Sequence, residues 1–262
     1  MSRLAGLPWW AAALPLLPLA LPMAVRTRRT ALRLAPAAGS SEGLAGATFP
    51  GEPLRLLLLG ESTVAGVGAS CLDFALAGRL AAALAARLQR PVAWRALGEN
   101  GITASEACER LLPLAGGRYD LVTLVFGVND TTHFSSTERW QASIARLIGH
   151  FQATGARVVC TAVPPLRHFR ALPWLLRQLL GWRAALLDRQ LQALATAEGA
   201  GYCAVGLEMQ PQYLAIDGYH PSVLGYQVWG EHLAQWLVAA ERGGGRIADG
   251  VRSCVSRKHG FS

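Results

Sequence analysis

Residues Leu54–Gly68 read LRLLLLGESTVAGVG. Leu56–Leu59 is a continuous apolar run, the pattern of a strand buried on both faces. The run breaks at Gly60 and delivers Ser62 into a turn of small residues, ahead of a long Ala/Leu-rich helical segment. A serine at the C-terminal tip of a buried strand, beside a helix N-terminus, stands where open α/β sheets gather their ligands. Taken alone, a Gly-x-Ser is better explained as a helix cap. The rest of the chain decides between the two.

Outward from this stretch the same grammar repeats. Strands are predicted at 54–59, 92–97, 120–126, 156–163 and 201–206, alternating with helices at 70–89, 103–112, 137–153, 183–199 and 222–240. Apolar strands such as LVTLVF (121–126) and VVCTAV (158–163) imply a parallel sheet covered on both faces. Residues 164–182, PPLRHFRALPWLLRQLLGW, break the alternation. They read either as a structural loop with a short core helix or as an apolar flap over a site.

The folded domain is expected to span 53–241. Residues 26–52, basic and then rich in Pro, Gly and Ala, read as a linker, and the Gly/Arg-rich 242–262 as a disordered basic tail. Residues 4–25 carry no charge, and a helix of that length is just long enough to cross a bilayer. Region 1–25 therefore reads as a membrane anchor or a signal. The arginines that follow at 26, 28, 29 and 33 favour an uncleaved anchor with its N-terminus outside and the main domain cytoplasmic. Export to the periplasm or secretion is the alternative.

The net charge of +8 comes almost wholly from arginine, with Lys258 the one lysine. Several of these charges lie at the chain ends, and no basic groove or aromatic stacking signature accompanies them, so nucleic-acid binding is not expected. Five cysteines without CxxC spacing give neither a disulfide framework nor a zinc site. Nothing in the sequence bears on oligomeric state.

Polar residues collect at the predicted strand tips: Gly60-Glu61-Ser62, Gly98–Thr103, Gly127-Val128-Asn129-Asp130, and Asp217-Gly218-Tyr219-His220-Pro221 before the last helix. In a doubly wound sheet these points share one edge. Together they could supply acyl-transfer chemistry. Ser62 needs a base, and His220 is the best placed of the six histidines. Asp217, three residues earlier, can fix the imidazole tautomer. Backbone N–H groups of Ser62 and Gly101 and the Asn129 amide are candidate oxyanion donors. Separately, Asn129-Asp130 could be a plain turn, and Asp217 with His220 two metal ligands lacking a third; His133 could line the pocket. No dinucleotide fingerprint or phosphate loop is present, and Gly-x-Ser here lacks the second glycine of the α/β-hydrolase elbow.

The four blocks, in this order, resemble the SGNH hydrolases of the GDSL-type esterase and lipase superfamily over about residues 54–240. The resemblance implies a flavodoxin-like three-layer α/β/α sandwich with a roughly five-stranded parallel sheet, and no metal or organic cofactor. It also implies Ser62 as nucleophile and oxyanion donor, Gly101 and Asn129 as the other donors, His220 as base and Asp217 as its orienting acid. Glu61 departs from the family, which usually carries Asp there. The expected function is hydrolysis of a small-molecule or lipid-like carboxylic ester through an acyl-enzyme. An acyltransferase acting on a sugar or lipid acceptor is the alternative, and a non-catalytic binding domain the third.

Overall fold

The computed structural model describes residues 7–204 and 210–242. Six strands form one sheet: β1 (Glu42–Ala45), β2 (Leu54–Gly60), β3 (Val92–Gly98), β4 (Leu121–Val125), β5 (Arg157–Thr161) and β6 (Gly201–Cys203). Their spatial order is β1-β3-β2-β4-β5-β6. β2 to β6 are parallel, and β1 pairs antiparallel with β3 at the edge. The five parallel strands have the flavodoxin order, which reverses between β2 and β4.

The leucine run now has a direct cause. Leu57 and Leu59 point into the core on one face, against helices α4 (Ala104–Arg110), α6 (Thr137–Ala153) and α7 (Trp174–Ala197). Leu56 and Leu58 point into the other, against α3 (Leu76–Leu88) and α8 (Val223–Arg242). A central strand covered on both sides can alternate nothing polar. Each fully buried leucine contributes about 1.5–3 kcal/mol of transfer free energy.

Two readings of the sequence are corrected in detail. Residues 26–52 are not a plain linker, since they carry β1. That strand is short, its burial alternates between exposed and half-buried, and its glycine hides it from any propensity reading. Gly43 is required by packing: a Cβ there would meet the Trp94 ring at 2.6 Å. The helix predicted from 183 starts at Trp174 instead, behind Pro173 at its N-cap. Segment 164–182 therefore divides into a 3₁₀ turn at Leu166–His168 and the first turns of α7. Apart from Arg242, which ends α8, the 242–262 tail lies outside the described residues, as does part of the 201–206 strand.

Near the N-terminus, α1 (Leu7–Ala13), a 3₁₀ turn (Leu14–Leu16) and α2 (Leu17–Thr30) follow one another directly. Pro15 and Pro18 fall in the first positions of the turn and of α2, where a missing N–H is tolerated. Pro8–Thr30 is long and apolar enough to cross a membrane by length and composition.

One local contact positions the loop after β3. Thr103 caps α4 by a reciprocal capping box with Glu106, whose carboxylate accepts from the Thr103 N–H at 2.8 Å and from its hydroxyl at 2.7 Å. Thr103→Ala should lower stability by about 1 kcal/mol, read as a lower urea midpoint with an unchanged m-value.

Candidate functional site

The site lies at the C-terminal edge of the sheet, around the switch between β2 and β4. Ser62 follows β2 in a turn held by Glu61, whose carbonyl accepts from the Val64 and Ala65 N–H groups at 2.9 and 3.1 Å. Small residues are needed here for close approach. A Cβ on Gly60 would meet the Val125 carbonyl at 2.3 Å, and one on Gly68 the Pro221 carbonyl at 2.3 Å. The second contact brings the Ser62 loop against the His220 loop. Tyr226 on α8 reinforces it by donating its buried hydroxyl to the Val67 carbonyl at 2.6 Å.

His220 Nε2 stands 3.0 Å from Ser62 Oγ, and His220 Nδ1 stands 2.6 Å from Asp217 Oδ2. The other oxygen of Asp217 accepts the N–H groups of Tyr219 and His220 at 2.9 and 3.1 Å. Its loop is thus wound around its own carboxylate, a common Asp-led turn. Burial alone would push the Asp217 carboxyl up. The hydrogen bonds from the His220 ring and from these N–H groups outweigh burial and hold it below the ordinary carboxylate range.

Asn129 sits in α5 (Val128–Thr132), directly after β4. Its side-chain amide donates to the Ile102 carbonyl at 3.0 Å, which ties it to the loop bearing Gly101. Gly101 has a φ of +86°, in the region that favours glycine. Asp130 is buried and accepts the Ala104 N–H at 2.9 Å, joining α5 to the start of α4. Asn129-Asp130 is therefore a junction between two loops rather than a plain turn. His133 is exposed, one residue beyond α5, and is not among the residues that line the apolar pocket.

In the sequence Glu61 stands out only as a departure from the family's Asp. In the structure it is buried, and its two carboxylate oxygens accept the N–H groups of Val128 and Asn129, each at 2.9 Å. It clamps the β4–α5 turn onto the β2 tip. Burial pushes its carboxyl up to about 8, against the pull of the N–H donors on Asn129, Val128 and Gly127. No local signal in the sequence could have shown this contact, which spans 67 and 68 positions.

A pocket opens beside Ser62 and His220, walled by Val128, Leu166, Phe169, Leu172 and Trp229. Its volume is about 140 Å³. Leu166, Phe169 and Leu172 come from segment 164–182, so that stretch does form part of the wall. Its later leucines, Leu176 and Leu179, instead pack against Trp9, Ala13 and Ala20 of the N-terminal helices.

The profile of the GDSL-like Lipase/Acylhydrolase family matches residues 58–228, well over half of the chain. The chain belongs to this family of SGNH/GDSL hydrolases. No curated protein sequence matches it. Among solved structures it is similar to the lipase Lip_vut3 from a goat rumen metagenome, at 18% identity and TM-score 0.57, covering 70% of this chain and 96% of that one. An acetyl-xylooligosaccharide esterase from Geobacillus stearmophilus gives 16% identity and TM-score 0.56, covering 71% and 94%. The lipase/acylhydrolase from Enterococcus faecalis gives 18% identity and TM-score 0.53, covering 71% and 96%. At these identities the neighbours establish the fold, and the family match establishes an esterase/lipase-type hydrolase.

Proposed function

We propose that the protein is a serine esterase that cleaves carboxylic esters through an acyl-enzyme at Ser62. The observation that carries this reading is the continuous chain Ser62 Oγ–His220–Asp217, with links of 3.0 and 2.6 Å. In this reading His220 takes the hydroxyl proton as Ser62 attacks the ester carbonyl, and later returns it to the leaving alcohol. Asp217, kept ionised by its hydrogen bonds, stabilises the imidazolium. A water then repeats the sequence and frees the acid.

The oxyanion of the tetrahedral intermediate is assigned to the N–H groups of Ser62 and Gly101 and to the Asn129 amide. An amide carries two N–H bonds, so donation to the Ile102 carbonyl leaves Asn129 one for the substrate. The pocket of about 140 Å³ is smaller than the 300–1,000 Å³ common for drug-sized ligands. With walls of Leu, Phe, Val and Trp it suits one slim acyl chain. The apolar helix near the N-terminus favours a lipid-like ester and association with a membrane.

An acyltransferase would use the same site with a sugar or lipid alcohol in place of water, and product analysis with such acceptors separates the two. The direct test of the common acyl-enzyme chemistry is a fluorophosphonate probe. Mass spectrometry should place one adduct on Ser62, and none on the Ser62→Ala or His220→Ala protein. An intact wild-type chain that stays unlabelled would refute the reading, and would revive a non-catalytic binding domain.

A further inference from the structure

The N-terminal helices have two different faces. One is a stripe at helical spacing, Trp9, Ala13 and Ala20 with Leu16, Met23 and Ala24, which packs on Leu175, Leu176, Leu179 and Leu180 of α7. The other, at Trp10, Leu14, Leu21 and Val25, is exposed. With 3.6 residues per turn, these four also share one side of the rod, about one residue around from the buried stripe.

The rod is docked on α7 of the catalytic domain by its stripe from Trp9 to Ala24. At one end the Trp9 indole N–H donates to the Leu179 carbonyl at 2.8 Å in a buried position. The guanidinium of Arg183, itself only 2% exposed, lies 5.0 Å over the Trp9 ring and 5.6 Å over Phe134. At the other end Arg26, Thr27, Thr30 and Leu32 share a groove with Ala171, Pro173, Ile216 and Tyr219. Pro8–Thr30 has 23 residues, a length of about 34 Å, sufficient in principle to cross a hydrocarbon core of about 30 Å. A helix docked along its apolar stripe on a folded domain cannot do so while it stays docked. Crossing would need undocking, which would strip Arg183 of the Trp9 ring and leave the Trp9 stripe without its partner.

The exposed side nevertheless has the chemistry of a lipid contact. On the catalytic domain Trp174, at the start of α7, and Ile216, in the groove shared with Arg26, are also 66% and 86% exposed. Arg26, Arg28, Arg29 and Arg33 are exposed at the end of the rod, where they complement anionic headgroups. We propose that Pro8–Thr30 lies flat on an anionic lipid bilayer surface instead of crossing it, and so presents the acyl pocket to the membrane. Tyr219 lines both the pocket and the groove under α2, so the two openings are neighbours. The inference stands apart from the esterase reading, because its test reads depth and not turnover.

The test uses the full chain with Cys71→Ser and Cys254→Ser, since Cys108, Cys160 and Cys203 are buried. Leu14→Cys, Leu21→Cys and Val25→Cys each carry a nitrobenzoxadiazole label. The labelled chains are added to phosphatidylcholine–phosphatidylglycerol vesicles with quenchers at graded depths. A flat helix gives a blue-shifted emission at all three positions and one common shallow depth, about 5–10 Å into the headgroup boundary. Binding should weaken at least about tenfold on pure phosphatidylcholine or at high salt. A spanning helix would instead separate Leu14 from Val25 by about 16 Å in depth, and that gradient would overturn the proposal. Failure to shift on any vesicle would overturn it too, and undiminished binding to pure phosphatidylcholine would remove its anionic part.

Discussion

Ser62→Ala should lower kcat/KM on chromogenic short- and medium-chain esters by at least about 10⁴-fold, with the thermal midpoint almost unchanged. The size follows from the role. Without Oγ there is no covalent intermediate, and what survives is the contribution of oxyanion donors and substrate binding, about 10³–10⁴ over water in comparable triads. Stability should hold because Ser62 is only partly buried and its hydroxyl faces His220 across the opening of the pocket. His220→Ala should fall to a similar level, since a hydroxyl with no proton acceptor is a poor nucleophile. The double variant carries the sharper test. Residues that act as a unit are non-additive, so Ser62→Ala/His220→Ala should be no slower than either single change. A double variant slower by the product of the two losses would mean that the pair does not work as one device.

Local patterns in the chain carry much of the fold and of the site. Leu56–Leu59 announced a strand buried on both faces, because two faces of leucine leave no polar alternative. The tips that follow β2, β3 and β4 and the loop before α8 were legible because turn residues, caps and an Asp three positions before a His are local patterns. Their convergence followed from topology: parallel strands with helical crossovers put all their C-terminal ends on one edge. Residues whose reason lies far away in sequence were not legible. Gly43 is fixed by Trp94, 51 positions on, and the short β1 around it therefore read as linker. The first turns of α7 read as a flap or loop because their leucines answer to Trp9 and Ala20, over 150 positions earlier. Glu61 is conspicuous in the sequence for its identity alone. Its meaning lies in two N–H groups on another strand tip.

That clamp predicts the second large effect. Glu61→Ala would leave the buried N–H groups of Val128 and Asn129 without their acceptor. An unmet buried donor costs about 1–3 kcal/mol, so the variant should lose about 2–4 kcal/mol of stability. Asn129 is held by the same clamp, and displacing the oxyanion donor proposed for it should lower kcat by about 10²-fold while KM moves little. Glu61→Gln keeps the length but offers one acceptor for the two N–H groups, and should recover only part of each loss. The pH dependence then separates a positioning acid from a mere filler. Burial pushes the Glu61 carboxyl up to about 8 from its ordinary 4.5, so the folded protein keeps a proton that the unfolded chain sheds. Its contribution is fully present below about pH 4.5 and is lost as pH rises through about 8. Urea titrations at acid, neutral and mildly alkaline pH should therefore show wild type losing ground to Glu61→Gln as pH rises, by at most about 1.4 kcal/mol per pH unit. A gap between the two proteins that stays level across that range would show that Glu61 is ionised throughout, held by its N–H donors more strongly than burial opposes them.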